Sequence, residues 1–342
     1  MKRKKVYIEV IRIIAMFFVL YVHTGYFAMT HYEVAGSRMS GLLAFFMMCV
    51  ALTCNALFFM IAGAVLLHKK ETIGRVLWRF FKMAVVVVLF SLFQYACNYW
   101  RMPAMGFRLN EFFKLVYQTN LITQYWFLYA YLAFIIILPF LRILAEKMDK
   151  EHFTYLVMLY LLMEGIFPMV EYFWKNEAFG LFVPVVENII FFPLVGHFIE
   201  HSEDDVFGKK RNLAAVNGLA CAALIINMIY AAKTYQDTGC AETFDGMTML
   251  VGLAIFVDVR YVCRICRMPQ LLEKVVVWCG GGVFGVCLLE PQLREAFIFL
   301  YRCLEPTFKW LPATVIWLGA AMMMGIIVMY LLKKIPVLKK LF

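Results

Sequence analysis

The sequence predicts an all-α fold, a polytopic transmembrane helical bundle of about ten transmembrane helices with both termini cytoplasmic. Three observations carry this. Of the 342 residues 64% are hydrophobic and 16% charged, more apolar surface than a soluble domain of that length hides from water. Long apolar runs recur from one end to the other, each near the roughly 20 residues that cross a bilayer as helix. Lys and Arg gather in alternate segments between those runs, which sets the orientation.

The first helix, 6–29, follows the basic run Lys2 to Lys5. Its apolar stretch is long and no small-residue cleavage site follows His23, so it is not read as a cleavable signal. The second, 39–67, leads into the basic segment Lys69 to Lys82. The third, 79–99, ends at Trp100, and the fourth, 124–144, starts beside Trp126 and runs into Arg142 to Lys150. The fifth, 153–173, ends at Trp174; the sixth and seventh, 180–200 and 213–233, flank Lys209 to Arg211. The eighth and ninth, 246–262 and 274–291, flank Arg260 to Lys274, and the tenth, 311–332, lies between Trp310 and Lys333 to Lys340.

Segments placed inside hold 23 of the 33 Lys and Arg, those placed outside hold 9, and Arg12 lies within the first helix. The net charge of +10 is therefore a topology signal and not a nucleic-acid footprint. Trp100, Trp126, Trp174 and Trp310 at outer ends and Trp78 at an inner one suit interfacial belts. The expected outer loops include Thr30–Ser40, Arg101–Thr123 and Lys233–Asp245. Arg101–Thr123 contains an amphipathic piece, Leu109 to Val116, that either lies on the membrane surface or folds inward. No soluble domain, linker or internal repeat is visible, so 1–342 reads as a single integral membrane domain. Most of the ten cysteines sit in apolar runs, where cysteine acts as a small hydrophobe. Cys263 and Cys266 form a CxxC without a second pair, and no metal site is expected.

The residues that cost most to bury are in the first helix. An arginine near the centre of a membrane helix costs about 2.5–3.5 kcal/mol on insertion scales. Glu9 lies three residues before Arg12, on the same face, and can pair with it. A snorkelling arginine tied to a glutamate explains both without any further role. His23 follows Arg12 by eleven residues, close to three turns, which puts the two side chains on one face roughly 16 Å apart. A lone histidine near a helix end is commonly interfacial; aligned with a buried arginine it suggests a polar path. Arg75 and Arg79 form a second cluster, four apart, on one face if the third helix begins early. They are ordinary inside-loop charge, or a phosphate site at the cytoplasmic mouth, where guanidinium groups grip phosphate bidentately.

These features together resemble membrane acyltransferase family 3, the bacterial integral-membrane O-acyltransferases. Four local matches carry the resemblance, spread over most of the chain. Arg12 and His23 stand at the family's arginine-to-histidine spacing, within Glu9-Val10-Ile11-Arg12 and Leu20-Tyr21-Val22-His23. Leu57-Phe58-Phe59-Met60-Ile61-Ala62-Gly63 is similar to an aromatic stretch ending in Ser-Gly, with Ala62 in place of the serine. Gln124-Tyr125-Trp126-Phe127-Leu128-Tyr129, with Pro139 downstream, is similar to an aromatic helix start. Phe284 to Pro291 is the fourth, with Glu290 where many members carry histidine.

The resemblance implies a membrane O-acyltransferase, by expectation an O-acetyltransferase, that moves an acyl group from cytoplasmic acyl-CoA to a hydroxyl of a cell-envelope carbohydrate or related acceptor. Polysaccharide modification at the bacterial cytoplasmic membrane is the implied setting. Acetyl-CoA or another acyl-CoA is the co-substrate, and no bound cofactor is expected. His23 would be the catalytic base; a free imidazole, with a pKa of about 6.5, suits that task. Arg12, supported by Glu9, would hold the donor together with Arg75 and Arg79. Asn55, Gln124, Tyr125, Trp126 and Glu290 are pocket candidates, and helix packing or an interfacial belt accounts equally well for the first four. The rival class is a transporter or permease that uses Glu9, Arg12 and His23 as a substrate or proton path.

Overall fold

The computed structural model describes residues 5–24, 38–101, 108–118, 123–175, 187–202 and 205–341. Lys2 to Lys4, the last residues of the first predicted helix (25–29), most of Thr30–Ser40, parts of Arg101–Thr123 (102–107 and 119–122) and the start of the sixth helix (180–186) lie outside them. Among the described residues the regular structure is entirely helical. The helices are α1 Val6–Val22, α2 Arg38–Ala51, α3 Cys54–Leu66, α4 Ile73–Arg101, α5 Leu109–Tyr117 and α6 Trp126–Lys147. Then come α7 Lys150–Leu161, α8 Phe167–Trp174, α9 Asn188–His201, α10 Lys210–Thr238 and α11 Asp245–Ile265. The chain closes with α12 Gln270–Ala296, α13 Ile298–Phe308, α14 Trp310–Leu332 and α15 Pro336–Lys339.

Eight helical stretches are long and apolar enough to cross a membrane, the pairs α2–α3 and α7–α8 each counting as one. They correspond to eight of the ten expected segments. The other two are α1, with 17 residues, and α9, with 14, and both run up to residues outside the description. Large apolar side chains such as Phe81, Phe140 and Ile229 face outward, as lipid contact requires.

Several helices overrun their apolar runs. α4 starts at Ile73, so the turn bearing Arg75 and Arg79 is helical. Hydropathy marks where lipid ends, whereas Arg, Lys and Trp still support helix beyond that edge. α12 continues through Pro291 to Ala296, a proline that cannot donate to the carbonyl one turn earlier and loosens the ladder there. α13 was not expected: Arg302 and Glu305 interrupt its apolar residues. The α7–α8 stretch passes through a π turn, Leu162–Ile166, just ahead of Pro168.

α1 is the central post, packed on α2, α3, α11, α12 and α14. Its Ile11, Ala15, Met16 and Leu20 are fully buried. α3 and α9 make one of the closest crossings: a Cβ on Gly63 would strike the backbone of Pro193, and one on Gly196 the backbone of Met60. Small residues of this kind let membrane helices approach backbone to backbone. Both helices end at the same pole of the bundle, where His201 Nε2 lies 3.0 Å from the Ala64 carbonyl.

Candidate functional site

Two of the polar clusters along α1 hold the residues singled out from the sequence. In the lower one Glu9 is 3% exposed, and Arg12 Nη1 donates to both its oxygens at 2.9 and 3.0 Å. Gly280 of α12 makes room for this carboxylate, since a Cβ there would overlap the Glu9 side chain. The expected pairing is present, and it uses one guanidinium nitrogen, Nη1. Arg12 and Arg79 both lie within electrostatic range of the Tyr131 phenol of α6.

Arg79 Nη2 donates to Glu71 Oε1 at 2.8 Å, and Arg142 Nη2 donates to Glu71 Oε2 at 2.8 Å. Arg142 also donates from Nε and Nη2 to the Leu66 carbonyl, both at 3.2 Å, which ties the end of α3 to α6. The bond from Arg79, followed by the bond from Arg142, holds the Glu71 carboxyl down at about 2. Arg79 Nη1 is buried with no partner. Arg75, one turn earlier, is exposed and takes no part in the bridge.

The upper cluster forms where α1 ends. His23 is the C-cap, and its backbone N–H bonds the Val19 carbonyl at 3.1 Å. The helix is continuous from Arg12 to this cap, so the eleven-residue spacing is three real turns. His23 Nδ1 lies 3.5 Å from Glu290 Oε2, without hydrogen-bond alignment. Glu290 is 1% exposed, and its Oε1 accepts from Arg294 Nε at 2.7 Å. Trp317 Nε1 donates to the Arg294 carbonyl at 2.9 Å. Because Glu9 meets Gly280 and His23 meets Glu290, α1 and α12 run parallel and the two clusters are two levels of one seam.

Beside Glu290 the Leu288 carbonyl accepts from Tyr125 Oη at 2.5 Å and Gln94 Nε2 at 3.2 Å, and Gln292 donates to Gln94. Pro291 leaves the neighbouring Cys287 carbonyl without its ladder donor, and the side-chain donors on Leu288 cross to α12 at that loosened turn. Tyr125 therefore borders the upper cluster. The described contacts do not bring Asn55, Gln124 or Trp126 to the His23–Glu290 pair: Asn55 and Gln124 are half-buried, and Trp126 is 48% exposed.

Sequence reasoning missed Arg294, Arg142, Tyr131, Gln94 and Gln292 as site residues. Arg294 had a signal, since it stands four residues after Glu290 on one helix. Arg142 was visible only as inside-loop charge.

The arrangement offers a half-buried imidazole facing an apolar bundle, backed by a carboxylate. If Nδ1 carries its proton toward Glu290, Nε2 is left as a base, and the carboxylate stabilises the imidazolium once a proton is taken. A family model described as an acyltransferase domain matches residues 5–334. No curated protein and no solved structure matches the chain.

Proposed function

Because the chain belongs to acyltransferase family 3, we propose that this multi-pass membrane acyltransferase takes its acyl group from acyl-CoA, acetyl-CoA in particular, and delivers it to a hydroxyl of a cell-envelope carbohydrate. The observation that carries the mechanism is the His23–Glu290–Arg294 chain, with a contact of 3.5 Å and a hydrogen bond of 2.7 Å.

In this reading His23 Nε2 takes the acceptor hydroxyl proton as the oxygen attacks the thioester carbonyl. The tetrahedral adduct collapses, the carbon–sulfur bond breaks, and the imidazolium returns the proton to the departing thiolate. An ester and free CoA result, and His23 ends neutral. Glu290 is a positioning residue that selects the Nδ1–H tautomer and offsets the imidazolium charge; Arg294 holds Glu290. Arg12 is three turns from His23, too far to reach the reacting carbonyl, and in this reading it holds the donor along α1. On the same reading the pole where α1 begins faces the cytoplasm of a bacterial cell, as the excess of Lys and Arg there supports, and the donor enters from that side.

The test is transfer of radiolabel from acetyl-CoA to envelope glycan in membranes carrying the protein. Label in the glycan that disappears with His23→Ala is the expected result. Uptake of a solute without acyl transfer would sink this reading and favour a permease.

A further inference from the structure

Where α3, α6 and α9 end together, the turn between α3 and α4 borders a cavity of about 780 Å³. Glu71 and Arg142 line it, so it lies against the Arg79–Glu71–Arg142 bridge. That bridge neutralises Glu71. The other lining charges are Lys69, Lys70 and Lys150 against Glu146 and Asp149, and Asp149 is engaged by the backbone N–H and ring of His152. The cavity therefore presents basic groups to whatever enters it.

Three histidines form one wall. The ring centroids of His68 and His201 are 4.5 Å apart, and those of His197 and His201 are 4.9 Å apart. The Ala64 carbonyl can only accept, so His201 Nε2 carries the proton of the 3.0 Å contact, and Nδ1 is the position that can gain one. His197 Nδ1 and Ser202 Oγ, both of residues lining the cavity, are buried without a partner. Buried polar groups left unpaired are costly, and each calls for an explanation. The rings are tilted by 32° and 33° to one another, and among the described residues no three His, Cys, Asp or Glu side chains converge as metal ligands. An anion rich in acceptor oxygens, not a cation, matches this set.

We propose that this cavity seats the phosphate end of the acyl donor, with Lys69, Lys70 and His201 holding the ribose phosphomonoester of CoA. The inference rests on the reading that acyl-CoA is the donor, and it moves the phosphate site away from Arg75, which is exposed. The route inward is also marked. Tyr131 precedes Arg142 by eleven residues on α6, three turns along the same face, and both Arg79 and Arg12 act on its phenol. An extended arm leaving the cavity starts beside the Arg79–Glu71–Arg142 bridge and would run toward Arg12 on the way to the α1–α12 seam.

Equilibrium binding of CoA and of dephospho-CoA to the purified protein in neutral detergent tests this. The wild type should bind CoA about tenfold or more tightly than dephospho-CoA. Lys69→Ala/Lys70→Ala should bind both as the wild type binds dephospho-CoA, Lys69→Arg/Lys70→Arg should keep the preference, and His201→Gln, which retains a donor for Ala64, should reduce it. A full preference in the alanine double variant overturns the site and leaves the acyl-CoA reading standing. A wild type that binds neither nucleotide overturns both. Short-chain phosphatidylglycerol is the third probe: binding that the double variant loses, with CoA binding unchanged, assigns the cavity to a lipid headgroup and overturns the proposal.

Discussion

His23 Nδ1 lies 3.5 Å from Glu290 Oε2, across the seam between α1 and α12. Each belongs to a different end of the chain, and each lacks an aligned hydrogen bond at that atom. The contact is long for a resting hydrogen bond, and catalytic hydrogen bonds commonly tighten only with substrate in place.

Glu290→Gln should lower kcat for acyl transfer by at least about tenfold while leaving donor affinity near normal, because the amide keeps the shape but cannot offset an imidazolium charge. Steady-state rates in detergent, with donor binding measured in parallel, check this. Unchanged kcat would reduce Glu290 to a packing residue that happens to face His23.

The legible part of the site was the part that is expensive in lipid. Arg12, Glu9 and His23 stood out from α1 because charges and polar rings are rare inside apolar runs, and helical geometry alone placed them on one face. Glu290 and Arg294 share a helix, so their pairing was readable from spacing. That Glu290 would face His23 was not, since 267 positions separate them and only tertiary packing joins α12 to α1. Gln94 and Gln292 meet across α4 and α12 for the same reason. The early start of α4 escaped because hydropathy reports the lipid boundary and not the helix boundary, and α13 escaped because its charges break the apolar run.

The orientation predicts which native cysteines an impermeant maleimide reaches. Cys240 and Cys266 are both exposed, at opposite poles of the bundle. In intact cells Cys240 should label and Cys266 should not; permeabilisation should add Cys266. The reverse pattern would invert the topology and with it the side from which the donor enters.

Glu71 predicts an acid-sensitive clamp. Its folded value of about 2 lies below the ordinary 4.5 because Arg79 and then Arg142 bond the carboxylate. The depressed value means the clamp contributes fully above pH 4.5 and is lost as pH falls through about 2. Glu71→Gln should therefore melt at lower temperature than the wild type at neutral pH, and the gap should close as the pH drops through that window. A gap independent of pH would show that the variant acts through packing.

Arg12 and His23 should fail in different ways, and the contrast tests the division of labour along α1. His23→Ala should leave the protein folded and able to bind acyl-CoA, yet slow transfer by about 10²–10⁴-fold, the usual contribution of a general base. Arg12→Ala removes the partner of Glu9, a carboxylate 3% exposed, so it should cost stability as well as donor binding. Arg12→Lys keeps a charge that can replace Nη1 on Glu9 but loses the rest of the planar guanidinium that would grip the donor, so it should restore stability more than donor affinity. The double variant Glu9→Gln/Arg12→Ala separates the two losses, because removing both charges relieves the stranded carboxylate. Thermal stability should then recover while donor affinity stays low. If donor affinity recovers with stability, Arg12 only neutralises Glu9 and the donor is held elsewhere. If His23→Ala keeps near-normal transfer, the histidine is interfacial and the base must be sought among other groups at the head of the seam.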